Sequence, residues 1–172
     1  MRVHCVLIAV AVALFGCGEV STGGGADTGG GAGTGGAADT ILTLDHEPMA
    51  LEQPATAHVT LWGYDQYVAD ASATAVARYT FEVEALPVDL ALDIPDDPHT
   101  LINQGFGPVE RSRARFYFSS LAIDVGSDGQ ICENDFVQDY DRSDFMSFAM
   151  EPPAEHRIFV KESGSECRPI DR

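Results

Sequence analysis

The densest chemistry in this chain lies in the run "DVGSDGQICEND", Asp124 to Asp135. Asp124, Asp128 and Gly129 stand first, fifth and sixth in it, and Asp135 ends it. An EF-hand calcium loop places oxygen ligands and a glycine at those points, but it also needs a ligand third and a long, bidentate glutamate last. Gly126 and the shorter Asp135 occupy those two places, so the run reads as a turn and no metal is expected. A glycosidase needs two acids held at a set separation across a groove, and among 27 aspartates and glutamates no pair is marked out. A hydrolytic triad needs a serine or cysteine, a histidine and an orienting acid. His46, His58, His99 and His156 all stand away from any G-x-S-x-G elbow, and "SGSEC" at 163–167 lacks the strand–turn–helix context. The expectation is a non-enzymatic protein with no cofactor.

Two apolar groups are candidates for binding. "WGYDQY" brings Trp62, Tyr64 and Tyr67 to a strand end. Rings there either stack on a sugar or peptide, or cover the core edge and cap a loop. "DFMSFAM" holds Phe145, Met146, Phe148 and Met150. Exposed, these residues would form a protein-docking patch; buried, they would close one end of the fold. Glu133, Asp135, Asp139, Asp141 and Asp144 make a solvated acidic face or a face for a basic partner.

The elements that must position these groups follow a period of two. "TILTL" (40–44) is a short strand that Glu47 and Pro48 should end. "AHVTLWG" turns Ala57, Val59 and Leu61 to one side. "VARYTFEVEAL" does the same with Tyr79, Phe81 and Val83, and "VDLALDI" with Val88, Leu90, Leu92 and Ile94. Each pattern is that of a half-buried strand. "PDDPHTLINQGFGP" is a loop or an edge segment with one helical turn. "ARFYFSSLAIDV" (114–125) is a long strand, and Asp128-Gly129 is a hairpin signal returning the chain through "QICENDF". "HRIFVKE" (156–162) is the last strand. "ADASATAVARY" is the best helical stretch but has no clean apolar face. A short helix around 139–148 competes with a plain loop. Seven short strands with Pro, Gly and Asp between them predict an all-β fold, an antiparallel β-sandwich of about seven strands, with a small β-barrel as the alternative.

The first residues carry a different message. Arg2 is followed by an unbroken apolar run from Val6 to Phe15. That suits a signal peptide and falls short of the ~20 residues a bilayer core needs. The run ends "LFGC", which resembles the lipobox of bacterial lipoproteins. The resemblance implies cleavage after Gly16, a diacylglyceryl group on Cys17 and acylation of the new amine. Lipid chains bury roughly 0.8 kcal/mol per CH₂ and make a durable anchor. Gly18, where an aspartate would signal inner-membrane retention, implies sorting to the outer membrane. "STGGGADTGGGAGTGGAAD" has nothing to pack, and about 20 such residues span roughly 25 Å. The expected organisation is a signal peptide at 1–16, a lipidated Cys17 with a glycine-rich tether to residue 39, and a β domain at 40–172. A net charge of −17 argues against nucleic acid and anionic headgroups as partners. In the oxidising compartment beyond the inner membrane, on either the periplasmic or the surface side of the outer membrane, Cys132 and Cys167 are expected to form a disulfide, the alternative being two separate thiols. There is no CxxC motif and no zinc spacing.

"ALEQPATAHVTLWGYD", "AVARYTFEVEALPVDLALDIP" and "SRARFYFSSLAIDVGSDGQICENDF" together resemble a family of bacterial β-sandwich lipoproteins, the type III secretion pilotins of the lipoprotein-chaperone type and their uncharacterised relatives. Leu51, Val59, Leu61 and Asp65 fit its first element. Leu86, Pro87 and Leu90 fit the second, with Leu90 where phenylalanine is commoner. Arg115, Phe116, Ile123, Asp128, Gly129 and Ile131 fit the third, with Phe116 in place of the usual tyrosine. The resemblance covers residues 42–136. It implies binding or chaperoning of an envelope protein such as an outer-membrane secretion channel, with the bilayer reached through the anchor. A surface-displayed ligand- or ion-binding module is the alternative, and a hydrolase a remoter one. The two cysteines and the acidic C-terminal stretch depart from the family pattern.

Overall fold

A computed structural model describes residues 39–68, 72–105, 107–143, 146–164 and 166–170. The signal peptide, Cys17 and nearly all of the tether lie outside the described residues, as do Asp144 and Phe145. The strands are β1 (Thr40–Asp65), β2 (Thr74–Leu92), β3 (Ala114–Val125), β4 (Gln130–Ile131), β5 (Phe136–Gln138), β6 (Glu155–Glu162) and β7 (Arg168–Pro169). One 3₁₀ turn, Pro98–Leu101, sits in the expected loop. No described helix is long and apolar enough to cross a membrane.

The main sheet runs β2-β1-β3-β5-β6, and β1 also pairs with β6. β1, β3, β5 and β6 therefore close on themselves, and β2 lies outside that ring along β1. The all-β class holds. The closure fits the barrel alternative, and a sandwich of two separate sheets is not confirmed.

One strand serves both sides of the ring because β1 changes phase. Thr40, Leu42 and Leu44 are buried in its first half, and Ala55, Ala57, Val59 and Leu61 in its second. Even positions give way to odd ones through two irregularities, between Leu44 and Met49 and between Ala50 and Ala55. Such bulges bend a strand and let a proline sit where no ladder N–H is required. Glu47 and Pro48 thus mark a bulge and do not end the strand, contrary to the sequence expectation. Before the bend β1 runs parallel to β6, from Ile41↔Glu155 to Asp45↔Phe159. After it β1 runs antiparallel to β3, from Ala55↔Val125 to Asp65↔Ala114. β2 follows the same change. Val83 is buried before Pro87, and Leu90 and Leu92 after it, so the two expected strands are one.

The hairpin at Asp128-Gly129 also needs correction. Gln130 and Ile131 pair with Pro169 and Arg168. The return partner of β3 is β5, through Ile123↔Phe136 and Ala122↔Val137. Asp124 is the reason. Its buried carboxylate accepts the amides of Asp128 at 3.1 Å and Gly129 at 2.7 Å, curling the chain before a ladder can form. Gly129, at φ 83°, takes the left-handed conformation that the curl requires. The described part of 139–148 holds turns and no helix. The Asp139 amide is drawn onto the Phe159 carbonyl at 2.8 Å, and Phe148 forms a bridge with Phe116.

The core fills the ring with Leu42, Leu44, Leu61, Phe116, Ile123, Phe136 and Ile158, each at most 2% exposed. Gly63 on β1 shows how tightly this end is packed. A Cβ there would stand 2.8 Å from Ile102 Cγ1, 2.8 Å from Val76 Cγ2 and 3.0 Å from Phe116 Cε1. Gly63→Ala is expected to lose about 1–3 kcal/mol through overpacking, read as a lower urea midpoint at unchanged slope.

Candidate binding surface

The alternation that sends Leu61 inward turns Trp62 and Tyr64 outward. The β1–β3 register sets Trp62 opposite Tyr117 and Tyr64 opposite Arg115. The Tyr64 and Tyr117 rings meet edge-on, with centroids 6.1 Å apart. Ser119, next outward on β3, lies 3.3 Å from the Tyr140 hydroxyl and donates to Gln138 Oε1 at 3.3 Å. Tyr140 is 66% exposed. Burial pushes the Tyr117 phenol above its ordinary pKa, and the neighbouring Tyr64 and Tyr140 add to the effect. Trp62, Tyr64, Tyr117 and Tyr140 thus make an aromatic strip on the outer wall. Tyr117 and Tyr140 are not among the sequence candidates, although "RFYFS" already places Tyr117 out of phase with Phe116 and Phe118.

Tyr67 is held by different groups. It lies past the end of β1, with its amide donating to Asp65 Oδ1 at 2.9 Å. The Arg113 guanidinium sits 5.4 Å from its ring centroid and forms an ion pair with the buried Asp65 carboxylate. That arrangement ties down a strand end. Met146 is 56% exposed. Phe148 packs on Phe116 and Phe118 at ring distances of 6.0 and 5.6 Å, and Met150 joins the core edge. The described part of "DFMSFAM" therefore divides between surface and core.

Cys132 and Cys167 form a disulfide, as expected. Beside it the carboxylates that stand at calcium-loop positions hold backbone instead. Asp124 accepts the two amides given above, and Asp135 accepts those of Val125 and Cys132. Among the described residues no group of three acids, histidines or cysteines is placed to hold a metal ion. An open cleft of ≈ 450 Å³ adjoins this loop. Met49, Leu51, Val125 and Phe136 line it, and Glu52, Asp128, Glu133 and Glu162 supply its negative charge.

His156 is the one deeply buried histidine described, 6% exposed and tilted against Phe118 at 5.7 Å. Burial holds its pKa below the ordinary 6.5. Unfolded chains take up that proton near pH 6.5, while the folded imidazole resists until lower pH. The unfolded state binds more protons in that window, so stability is full above pH 6.5 and falls as the pH drops through it. Urea midpoints measured from about pH 8 to pH 5 should decline on the acid side, and His156→Phe should flatten that decline.

A scan against protein-family models and searches of curated proteins and of solved structures found no match to this chain.

Proposed function

We propose that the chain is a non-enzymatic lipoprotein, anchored at the outer membrane by acyl chains on Cys17, whose β domain binds or chaperones another envelope protein. The observation that carries this reading is the outer aromatic strip of Trp62, Tyr64, Tyr117 and Tyr140. Tyrosine and tryptophan are enriched at protein interfaces because each offers a large apolar face with a polar tip at little entropic cost. Two of these rings, Trp62 and Tyr117, form a cross-strand pair on a rigid sheet, so little order is lost on binding. The "LFGC" motif and the glycine-rich tether support the anchor. The likeness of residues 42–136 to secretion pilotins supports a channel protein as the partner. A second reading, a surface-displayed module for a cationic ligand, draws on the acid-lined cleft.

Cross-linking in intact membranes followed by pull-down tests the first reading. One outer-membrane channel protein should dominate the eluate, and its yield should fall about tenfold or more with the pair Trp62→Ala/Tyr117→Ala. Met146→Ala should leave it unchanged. Intact mass should show acyl groups on Cys17. A native protein that washes free without detergent and starts with an unmodified amine would end the anchored reading. Protease access to the domain on whole cells, with no protein captured, would favour the second.

A further inference from the structure

We infer that the free edge of β2 binds a second copy of this chain. The two copies pair antiparallel over residues 77–83, about a two-fold axis through Thr80, and join their sheets into one. This goes beyond the envelope-binding reading and does not depend on it.

β2 ends the sheet. Among the described residues it pairs only with β1, and no loop backbone bonds to residues 77–83. That stretch is in unbroken register with β1, from Ala55↔Val83 to Leu61↔Ala77, and a register shift bounds it on each side. Between those shifts the backbone is regular enough for a further strand to pair with its outer side. Thr80 is the middle residue of the run. An axis there uses every regular rung, and moving the axis along the strand carries one end of the pairing into an irregularity.

Each rung about this axis is matched. Arg78 falls opposite Glu82 of the second copy, and Glu82 opposite its Arg78, which gives two cross-strand ion pairs. Within one chain these charges face none: their neighbours on β1 are Thr60 and Thr56, and among the described residues no ion pair includes them. Thr80, exposed like both of them, meets its own equivalent. On the inner face Tyr79 falls opposite Phe81, and Ala77 opposite Val83. Tyr79 and Phe81 pack on the core but are only half-buried, whereas Val59 and Ala57, on the same rungs of β1, are 1% and 0% exposed. A second β2 extends that cover with aromatic cross-strand pairs.

Self-complementarity selects the occupant. A two-fold interface needs a surface that is its own complement, and residues 77–83 are one in charge, in aromatic content and in backbone direction. The glycine-rich tether has no side chains to pair with Arg78 and Glu82 or to cover Tyr79 and Phe81. The net charge of −17 on each copy opposes approach. Salt screens distant charges beyond about 8 Å under physiological conditions, while Arg78 and Glu82 meet directly. An edge of this length buries little area, so the dimer is a weak one in dilute solution.

The test uses the full chain. Opposite Cα atoms of an antiparallel pair stand about 4.5–5.5 Å apart, within the ~4.4–6.8 Å that a disulfide spans. About this axis only residue 80 meets its own equivalent on the exposed face. The two copies of residue 78, or of residue 82, stand about 13 Å apart along the strand. Mild oxidation of Thr80→Cys should therefore yield a reducible dimer at least about tenfold more abundant than Arg78→Cys or Glu82→Cys yields. Sedimentation of the unsubstituted chain should show a monomer–dimer equilibrium with Kd on the order of 10–100 micromolar. Arg78→Glu should weaken it about tenfold, and the reversal Arg78→Glu/Glu82→Arg should restore it. Amide exchange across 77–83 should slow as protein concentration rises. Equal cross-linking at the three positions, no recovery in the double reversal, or exchange across 77–83 that ignores concentration each overturns the inference.

Discussion

Replacing Asp135 by alanine is expected to cost about 3–5 kcal/mol, a drop in Tm on the order of 10–20 °C for a domain of this size. Asp135 is 5% exposed, and its carboxylate serves the two ends of one loop. Oδ1 accepts the Val125 amide at 2.7 Å at the end of β3, and Oδ2 accepts the Cys132 amide just past β4. The Asp135 backbone is engaged as well, its carbonyl accepting the Ser163 amide at 2.6 Å. Alanine leaves both loop amides without their charged acceptor, and an unmade buried hydrogen bond costs more than a made one gains. Asparagine would keep one acceptor and turn a donor toward the other amide, so Asp135→Asn should fall between alanine and the parent. Urea unfolding of the three proteins gives that order directly. A loss below about 1 kcal/mol for alanine would mean that water replaces the carboxylate and that the loop does not depend on it.

This brace also shows where the sequence can be read and where it cannot. Alternation identifies the buried residues wherever a strand is regular: Leu42 and Leu44, then Ala57, Val59 and Leu61, then Leu90 and Leu92 all fall inward by period alone. Alternation cannot follow a strand through a change of phase. Glu47-Pro48 reads as an end because proline and charge are common at strand ends, and only pairing on both sides of β1 shows that the chain continues. At Asp128-Gly129 the turn itself is correct. Its consequence is not, because Asp124 and Asp135 hold more of the chain in the turn than a hairpin would. A side chain's choice between solvent and a backbone amide leaves no mark in composition.

The site is half legible for a related reason. Trp62 and Tyr64 stand two apart on one strand, so local spacing places them on one face. Their meeting with Tyr117 depends on the β1–β3 register, a long-range property, and Tyr140 reaches the strip only because β5 lies against β3. Tyr67, equally near in sequence, leaves the strip once β1 ends and Arg113 draws it toward Asp65. Openness of the β2 edge is equally hidden, since the alternation of "VARYTFEV" suits a central strand just as well.

Breaking the disulfide with Cys132→Ser/Cys167→Ser is expected to cost about 4 kcal/mol by loop-closure entropy at a sequence separation of 35. The loss should be uneven. β7 comprises only Arg168 and Pro169, both exposed, and pairs only with Gln130 and Ile131. A ladder that short, with no buried side chain on β7, cannot hold the tail against the entropy of release. The ring of β1, β3, β5 and β6 makes no use of the tail. The double variant should therefore stay folded at 25 °C, with the amides of 166–170 exchanging at nearly unprotected rates and those of β3 and β6 still slow. Cys132 belongs to both devices, since its amide is held by Asp135 and its sulfur by Cys167. Combining Asp135→Ala with the serine pair should be non-additive by more than about 0.5 kcal/mol: once the tail is free, the brace has less order left to protect. Strict additivity, or a tail that stays protected after the sulfurs are gone, would show that the loop and the C-terminus are anchored independently.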